Sequence, residues 1–210
     1  MDKKWLNLAA AAVILGLSGC ASMSANECAL SDWSAIGYED GSRGYSPDRF
    51  GQHRKACAKH GVAANFEDYQ RGRTQGLREF CQPERAFSYG ESGGRYNGVC
   101  PADLEGDFVA AYNSGYQLYT LRAAVNHANS AIYAAQSELD YAEKRIVAIG
   151  LELVAEETTT EQRVLLLAEL KDTTERKGEL KTEIEFLIAE RARAEQELEY
   201  YEQTIAAARY

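Results

Sequence analysis

Apolar residues recur along the second half of the chain at alternating spacings of three and four. Leu118, Leu121, Val125, Ala128, Ile132, Ala135, Leu139, Ala142, Ile146, Ile149 and Leu153 form one such series. This spacing puts every member on one stripe of an α-helix and is the heptad seam of a coiled coil. One set is large (Leu118, Val125, Ile132, Leu139, Ile146, Leu153) and the other is mostly alanine (Ala128, Ala135, Ala142), which lets a facing helix come close. A second seam runs through Leu166, Leu170, Leu180, Ile184, Leu187, Ala194, Leu198, Tyr201 and Ile205, with Thr173, Lys177 and Arg191 as interruptions. Between the seams, residues 156–162 read EETTTEQ. Three β-branched threonines are poor helix formers, and Thr158 with Glu161 has the spacing of a capping box. The pattern predicts a turn here and an antiparallel helical hairpin with arms at residues 107–157 and 161–208. Each arm would hold about 45 residues and reach roughly 65 Å. One continuous helix in an oligomeric coiled coil is the alternative, because the two seams differ little in phase.

The first half reads as short helices. Ser31 is a cap for a helix running to about Arg43 and closed by Gly44. Ser46-Pro47 is a cap with proline at the first helical position, and Gly61 is a stop. Asn65 with Asp68 opens a third helix, which turns Tyr69, Leu77 and Phe80 inward and ends before Pro83. Residues 88–100 are too rich in glycine for an assignment. Beyond Pro101 there is no further proline or cysteine, and glycine becomes rare after Gly115. The fold expected is therefore all-α, a small disulfide-bonded helical domain (residues 31–106) followed by the long hairpin.

A pattern recurs as Tyr38-x-x-Gly41, Tyr69-x-x-Gly72 and Tyr112-x-x-Gly115, and glycines fall four apart at Gly37/Gly41 and Gly72/Gly76. Glycine inside a helix costs about 1 kcal/mol relative to alanine, so something must pack directly on those turns. A core with tyrosines over glycine grooves is the expectation. The functional alternative is an aromatic ligand surface of Tyr38, Tyr69, Arg73 and Tyr96, suited to a glycan or a peptide.

The N-terminus changes the setting. Lys3 and Lys4 precede an apolar run, WLNLAAAAVILGL, that is too short to span a bilayer as a helix. This has the form of a secretory signal peptide over residues 1–19. Leu17-Ser18-Gly19-Cys20 resembles the lipobox of bacterial lipoproteins. That resemblance implies cleavage before Cys20, lipid on its thiol and amino group, and a tether over residues 20–30. With Ala21 and Ser22 following, it also implies sorting to the outer membrane with the mature part in the periplasm. Two acyl chains suffice for stable anchoring.

An exported chain with four further cysteines, Cys28, Cys57, Cys81 and Cys100, is expected to hold disulfides, with three connectivities open. If the first two helices run antiparallel, the start of one lies near the end of the other. Disulfides need Cα atoms within about 7 Å, so Cys28–Cys57 and Cys81–Cys100 are preferred over Cys57–Cys81. His53, Cys57 and His60 share a helical face, but Cys57 is claimed by the disulfide and no fourth ligand is evident, so no metal or cofactor is expected. His127 is expected in solvent.

Charge narrows the partners. The chain carries a net charge of −9. No Lys/Arg cluster offers the basic patch that nucleic acid requires. No catalytic motif is present either: there is no glycine-flanked serine, HExxH or phosphate-binding loop. Adjacent acids such as Glu39-Asp40 and Glu67-Asp68 read as surface charge and caps. Arg43, Arg71, Arg73, Arg78 and Arg95 are expected to pair with the domain's own acids. The expectation is not an enzyme.

Cys28, Asp32-Trp33-x-x-Ile36-Gly37-Tyr38-x-Asp40-Gly41, His53 and Cys57 together resemble a bacterial lipoprotein family catalogued as domain of unknown function 2799. Tyr69-x-x-Gly72-x-x-x-Gly76-Leu77, Cys81-x-Pro83 and Gly98-Val99-Cys100-Pro101 extend the resemblance over roughly residues 20–120. It implies an envelope lipoprotein and no particular activity. The expected role is structural or interaction: a lipid at one end, and a coil that meets an envelope protein or a second copy. Binding of peptidoglycan or polysaccharide by the Tyr/Arg/Gly surface is the alternative.

Overall fold

A computed structural model describes residues 23–208, so the segment expected as a signal peptide and Cys20 lie outside the described residues. Seven helices follow in order: α1 (Ala25–Ala29), α2 (Trp33–Ser42), α3 (Asp48–Ala58), α4 (Phe66–Phe80), α5 (Pro83–Glu91), α6 (Ala102–Val154) and α7 (Thr160–Ala208). There is no strand among the described residues, and no helix among them is long and apolar enough to cross a membrane.

The helix signals are local. Asp32 caps α2 by accepting from the amides of Ser34 and Ala35, so the cap sits one residue after Ser31. Gly44, at φ 70°, turns the chain out of α2, and Gly61, at φ 73°, does the same after α3. Asn65 accepts from the Asp68 amide at the start of α4. Two helices were not foreseen. Ser24 and Glu27 form a reciprocal capping box for α1 inside the expected tether. Pro83 opens α5, which crosses into the stretch left unassigned.

The chain divides into two compact units. Among the described residues, the first holds those up to Phe80 with Asn97–Pro101, and the second holds Cys81–Tyr96 with those from Ala102 onward. The division therefore does not fall at residue 106. The change in composition at Pro101 marks the start of α6, and α5 groups with that helix.

In the first unit α2 packs on α4. The glycines meet helix backbone, where tyrosine rings were expected. A Cβ built on Gly37 would lie 2.0 Å from the Tyr69 carbonyl oxygen, and one on Gly72 would lie 1.8 Å from the Ser34 oxygen. Gly41 faces the Arg73 carbonyl and Gly76 the Tyr38 carbonyl in the same way. The contacts advance together along both helices, so α2 and α4 run parallel. Glycine Cα–H groups sit directly on the opposing carbonyls, a weak but repeated attraction. Beneath this contact Cys28, Trp33, Cys57 and Tyr69 are buried, with Met23, Ile36, Phe50, Val62 and Ala64 packed around them.

The second unit repeats the device. Gly90 on α5 faces the Tyr112 carbonyl and the Tyr116 amide, and Gly115 on α6 faces the Phe87 carbonyl and the Glu91 amide. The register matches that of Gly41 and Gly76, which meet Arg73/Leu77 and Tyr38/Ser42 in the same pattern. Tyr96, Phe108, Tyr112 and Tyr116 stack beside it, with centroids 4.7 Å apart for Tyr96–Phe108 and 5.7 Å for Tyr112–Tyr116.

Beyond this point α6 and α7 form the antiparallel hairpin, which excludes the continuous-helix arrangement within this chain. All eleven residues of the first seam are buried or half-buried, and the second seam is continuous through the three polar positions. Lys177 and Arg191 lay their stems on the seam and place their heads near Glu143 (3.0 Å) and Asn129 (3.4 Å). The capping box at the turn is shifted by one residue from expectation: Thr159 and Gln162 exchange backbone-to-side-chain bonds of 2.8 and 3.2 Å. Arg163 then ties the turn by donating to the carbonyls of Leu153, Ala155 and Thr158.

Candidate functional site

Two features of the chain bear on function. One is a buried polar cluster in the first unit, and the other is the surface of the hairpin.

The cluster is centred on Asp40. The residue lies on α2 between Gly37 and Gly41, on the face that meets α4, and is only 5% exposed. Its Oδ2 accepts from the Tyr69 hydroxyl at 2.9 Å and lies 2.9 Å from His53 Nε2. Its Oδ1 lies 3.8 Å from Arg49 Nε. An acid buried this deeply needs such partners, because an isolated charge in the interior is very costly. Reading Glu39-Asp40 as surface charge was wrong for Asp40. The signal was present: Gly37, Asp40 and Gly41 share one helical face, and a face of two glycines and an acid is a contact face. Asp40 ties α3, through Arg49 and His53, to the α2–α4 pair. Both carboxyl oxygens face groups of the same unit, which makes the cluster a packing element.

Burial pushes the Tyr69 phenol well above its usual range, and the hydrogen bond to Asp40 pushes it further in the same direction. A raised folded-state value means that this contribution is complete below about pH 10, the ordinary tyrosine value, and is lost as pH rises beyond it. The stability gap between wild type and Tyr69→Phe should therefore narrow by up to about 1.4 kcal/mol per pH unit above pH 10. Urea midpoints taken from pH 9 upward would read this, and a constant gap would refute it.

The alternative ligand surface does not assemble around Tyr69, which is 1% exposed and sits in the core. Tyr38 is partly exposed and donates to Glu79 at 2.6 Å. Arg73 donates to the Tyr45 carbonyl at 2.8 Å. Tyr96 belongs to the second unit, donates to Glu105 and lies on Phe108. Arg43 pairs with Glu39 and Arg71 with Asp68, as expected of the arginines. Cys28 and Cys57 form a disulfide with Cα atoms 5.4 Å apart, and Cys81 and Cys100 are disulfide-bonded as well. Cys57 and His53 are thus both committed elsewhere than to a metal. No group of His, Cys, Asp and Glu able to hold an ion occurs among the described residues.

The hairpin is a polar rod with two different flanks. On one flank Arg145 makes a two-pronged pair with Glu169, at 2.6 and 2.7 Å, and Arg176 makes another with Glu138, at 2.8 and 3.1 Å. These pairs raise both guanidinium pKa values and lower both carboxyl values through the hydrogen bonds between them. On the other flank Arg122 joins Glu91 and Glu202 at the base of the rod, and Tyr201 donates to the Ser114 carbonyl at 2.9 Å. Large side chains off the seam are exposed along the shaft, among them Tyr133, Tyr141, Phe186 and Tyr200.

No curated protein and no solved structure matches this chain. Residues 32–117, from the cap of α2 into α6, match the family model described as "Protein of unknown function (DUF2799)".

Proposed function

We propose that the protein is an exported lipoprotein with a structural or interaction role, held in the outer membrane by lipid on Cys20. Its hairpin is an arm that engages a partner in the periplasm. The observation that carries this reading is the hairpin itself. From Ser114 to Val154 the arm extends roughly 60 Å. Its seam is filled from within the chain, while its outer faces carry exposed aromatic residues. Such a rod offers surface and reach. Tyr69 is buried and bonded to Asp40, so the polysaccharide-binding alternative loses its central residue.

A photocrosslinking amino acid placed in turn at Tyr133, Tyr141, Phe186 and Tyr200 in intact cells tests the role. Discrete adducts with one envelope protein, or with a second copy, are the expected result. Adducts with lipid alone, or none at any position, would refute it. Cys20→Ala should release the chain from the membrane fraction. Retention there would refute the anchor.

A further inference from the structure

One stretch of this acidic chain is basic. Between Asp48 and Glu67 there is no acidic residue, although the whole chain carries 32 acids and a net charge of −9. Helix α3 falls in that stretch. With about 3.6 residues per turn, Gly51, Lys55 and Ala58 share its outer side, and Arg54 and Lys59 flank them. Arg54, Lys55, Ala58 and Lys59 are exposed, and a Cβ at Gly51 would meet nothing within 4 Å. The opposite side turns Ala56 and Cys57 into the core. Arg54, Lys55 and Lys59 have no ion-pair or hydrogen-bond partner among the described residues, whereas Arg43, Arg71, Arg122, Arg145 and Arg176 each hold a carboxylate. Of the acids on the elements around α3, Asp40 is buried, Glu27 closes the capping box with Ser24, and Asp68 pairs with Arg71.

The same helix lies beside the start of the described chain. Met23 packs against the core with its sulfur 3.8 Å from Cys57 Sγ, and Cys57 stands between Lys55 and Lys59 along α3. Cys20 is three residues before Met23, a span of at most about 11 Å. A lipid on Cys20 therefore keeps α3 close to the headgroups. We infer that the outer face of α3 is a membrane-contact surface, on which Arg54, Lys55 and Lys59 bind the phosphates of anionic phospholipids in the leaflet that holds the anchor. This rests on the anchor reading above and names the part of the body that meets the membrane. The tether decides the occupant. It sets headgroups against this helix at a high local concentration, which no free anion or untethered acidic protein shares. Charge then decides the orientation. Each such cation strengthens binding to an anionic surface about fivefold, while the acidic remainder of the chain is repelled. Three cations are enough here because the lipid already supplies the attachment.

The test uses the chain from Cys20 to Tyr210, in which Cys20 is the cysteine outside the disulfides. Its thiol is coupled to a maleimide lipid in phosphatidylcholine vesicles made with or without phosphatidylglycerol. Acetylation by an amine-reactive reagent, read at each lysine by mass spectrometry, reports contact. With phosphatidylglycerol present, Lys55 and Lys59 should react about tenfold or more slowly than in the uncoupled chain, and Lys181 on α7 at an unchanged rate. On phosphatidylcholine alone the protection should vanish. It should also vanish in Gly51→Glu with Ala58→Glu, which sets carboxylates among the cations at two positions with room for them. Trp33 fluorescence against urea checks that the double variant keeps its fold. Protection that is absent from both vesicles, equal on both, shared by Lys181 or kept by the folded double variant would overturn the proposal. Coupling supplies the anchor chemically, so these results sink the contact face and leave the anchor reading standing. That reading is tested by itself when Cys20→Ala is fractionated from cells.

Discussion

Gly72→Ala is expected to destabilise the first unit by about 3 kcal/mol or more, at or above the upper end of ordinary overpacking. One methyl group does this because of what it meets. The new Cβ would lie 1.8 Å from the Ser34 carbonyl oxygen, with the Ser34 carbonyl carbon and Cα also within about 3 Å. Side chains yield to such a clash by changing rotamer, but helix backbone yields only by moving the whole helix. Displacing α2 would also pull Gly37 and Gly41 off the carbonyls of Tyr69 and Arg73 and disturb Asp40 between them. Gly51→Ala on α3 is the matched control, since nothing lies within 4 Å of its Cβ position. It should be neutral or stabilise by about 0.5–1 kcal/mol. The sequence has two tryptophans, Trp5 and Trp33. In a chain that starts at Cys20 Trp33 alone remains, and it is buried in this unit. Its fluorescence against urea gives both values. A Gly72→Ala midpoint indistinguishable from wild type would refute the backbone contact.

The same glycines show what the sequence makes legible and what it hides. Spacing of four identified Gly37/Gly41 and Gly72/Gly76 as a contact face, and the structure puts backbone there. Gly90 belongs to the same class, yet its surroundings, SYGESGG, are too rich in glycine for an assignment, and the pattern does not show α5. A contact glycine and a loop glycine are the same letter, and only the opposing helix tells them apart. The heptad seam was plain because packing between two long helices demands a strict period. That demand also hid something. Thr173, Lys177 and Arg191 read as interruptions, although half-buried stems keep the seam continuous through them. The Cys28–Cys57 disulfide followed from helix direction and reach alone. The unit boundary did not, because α5 lies in the cysteine- and glycine-rich region yet groups with α6.

Asp40→Ala should cost the first unit about 3–5 kcal/mol, the range for removing one partner of a buried charged network. The deletion leaves the Tyr69 hydroxyl, His53 Nε2 and the Arg49 head without the oxygens they now face at 2.9, 2.9 and 3.8 Å. Arg49 Nε is buried without a hydrogen-bond partner and faces Asp40, while the rest of the guanidinium donates to Gln52 at 2.8 Å and lies over the Tyr45 ring. Asp40→Asn separates the terms. An amide of nearly the same shape keeps one acceptor for Tyr69 but offers no charge to Arg49, and should cost about 1–2 kcal/mol. Pairing Asp40→Ala with Arg49→Met should recover part of the loss, because the second change removes the stranded cation while keeping an apolar stem of similar length. Urea midpoints from Trp33 fluorescence measure all three. Equal costs for the alanine and asparagine variants, with no recovery in the double variant, would mean that Asp40 serves only to fill space between α2 and α4. Unequal costs with recovery would identify it as the polar tie between α3 and the glycine-packed pair.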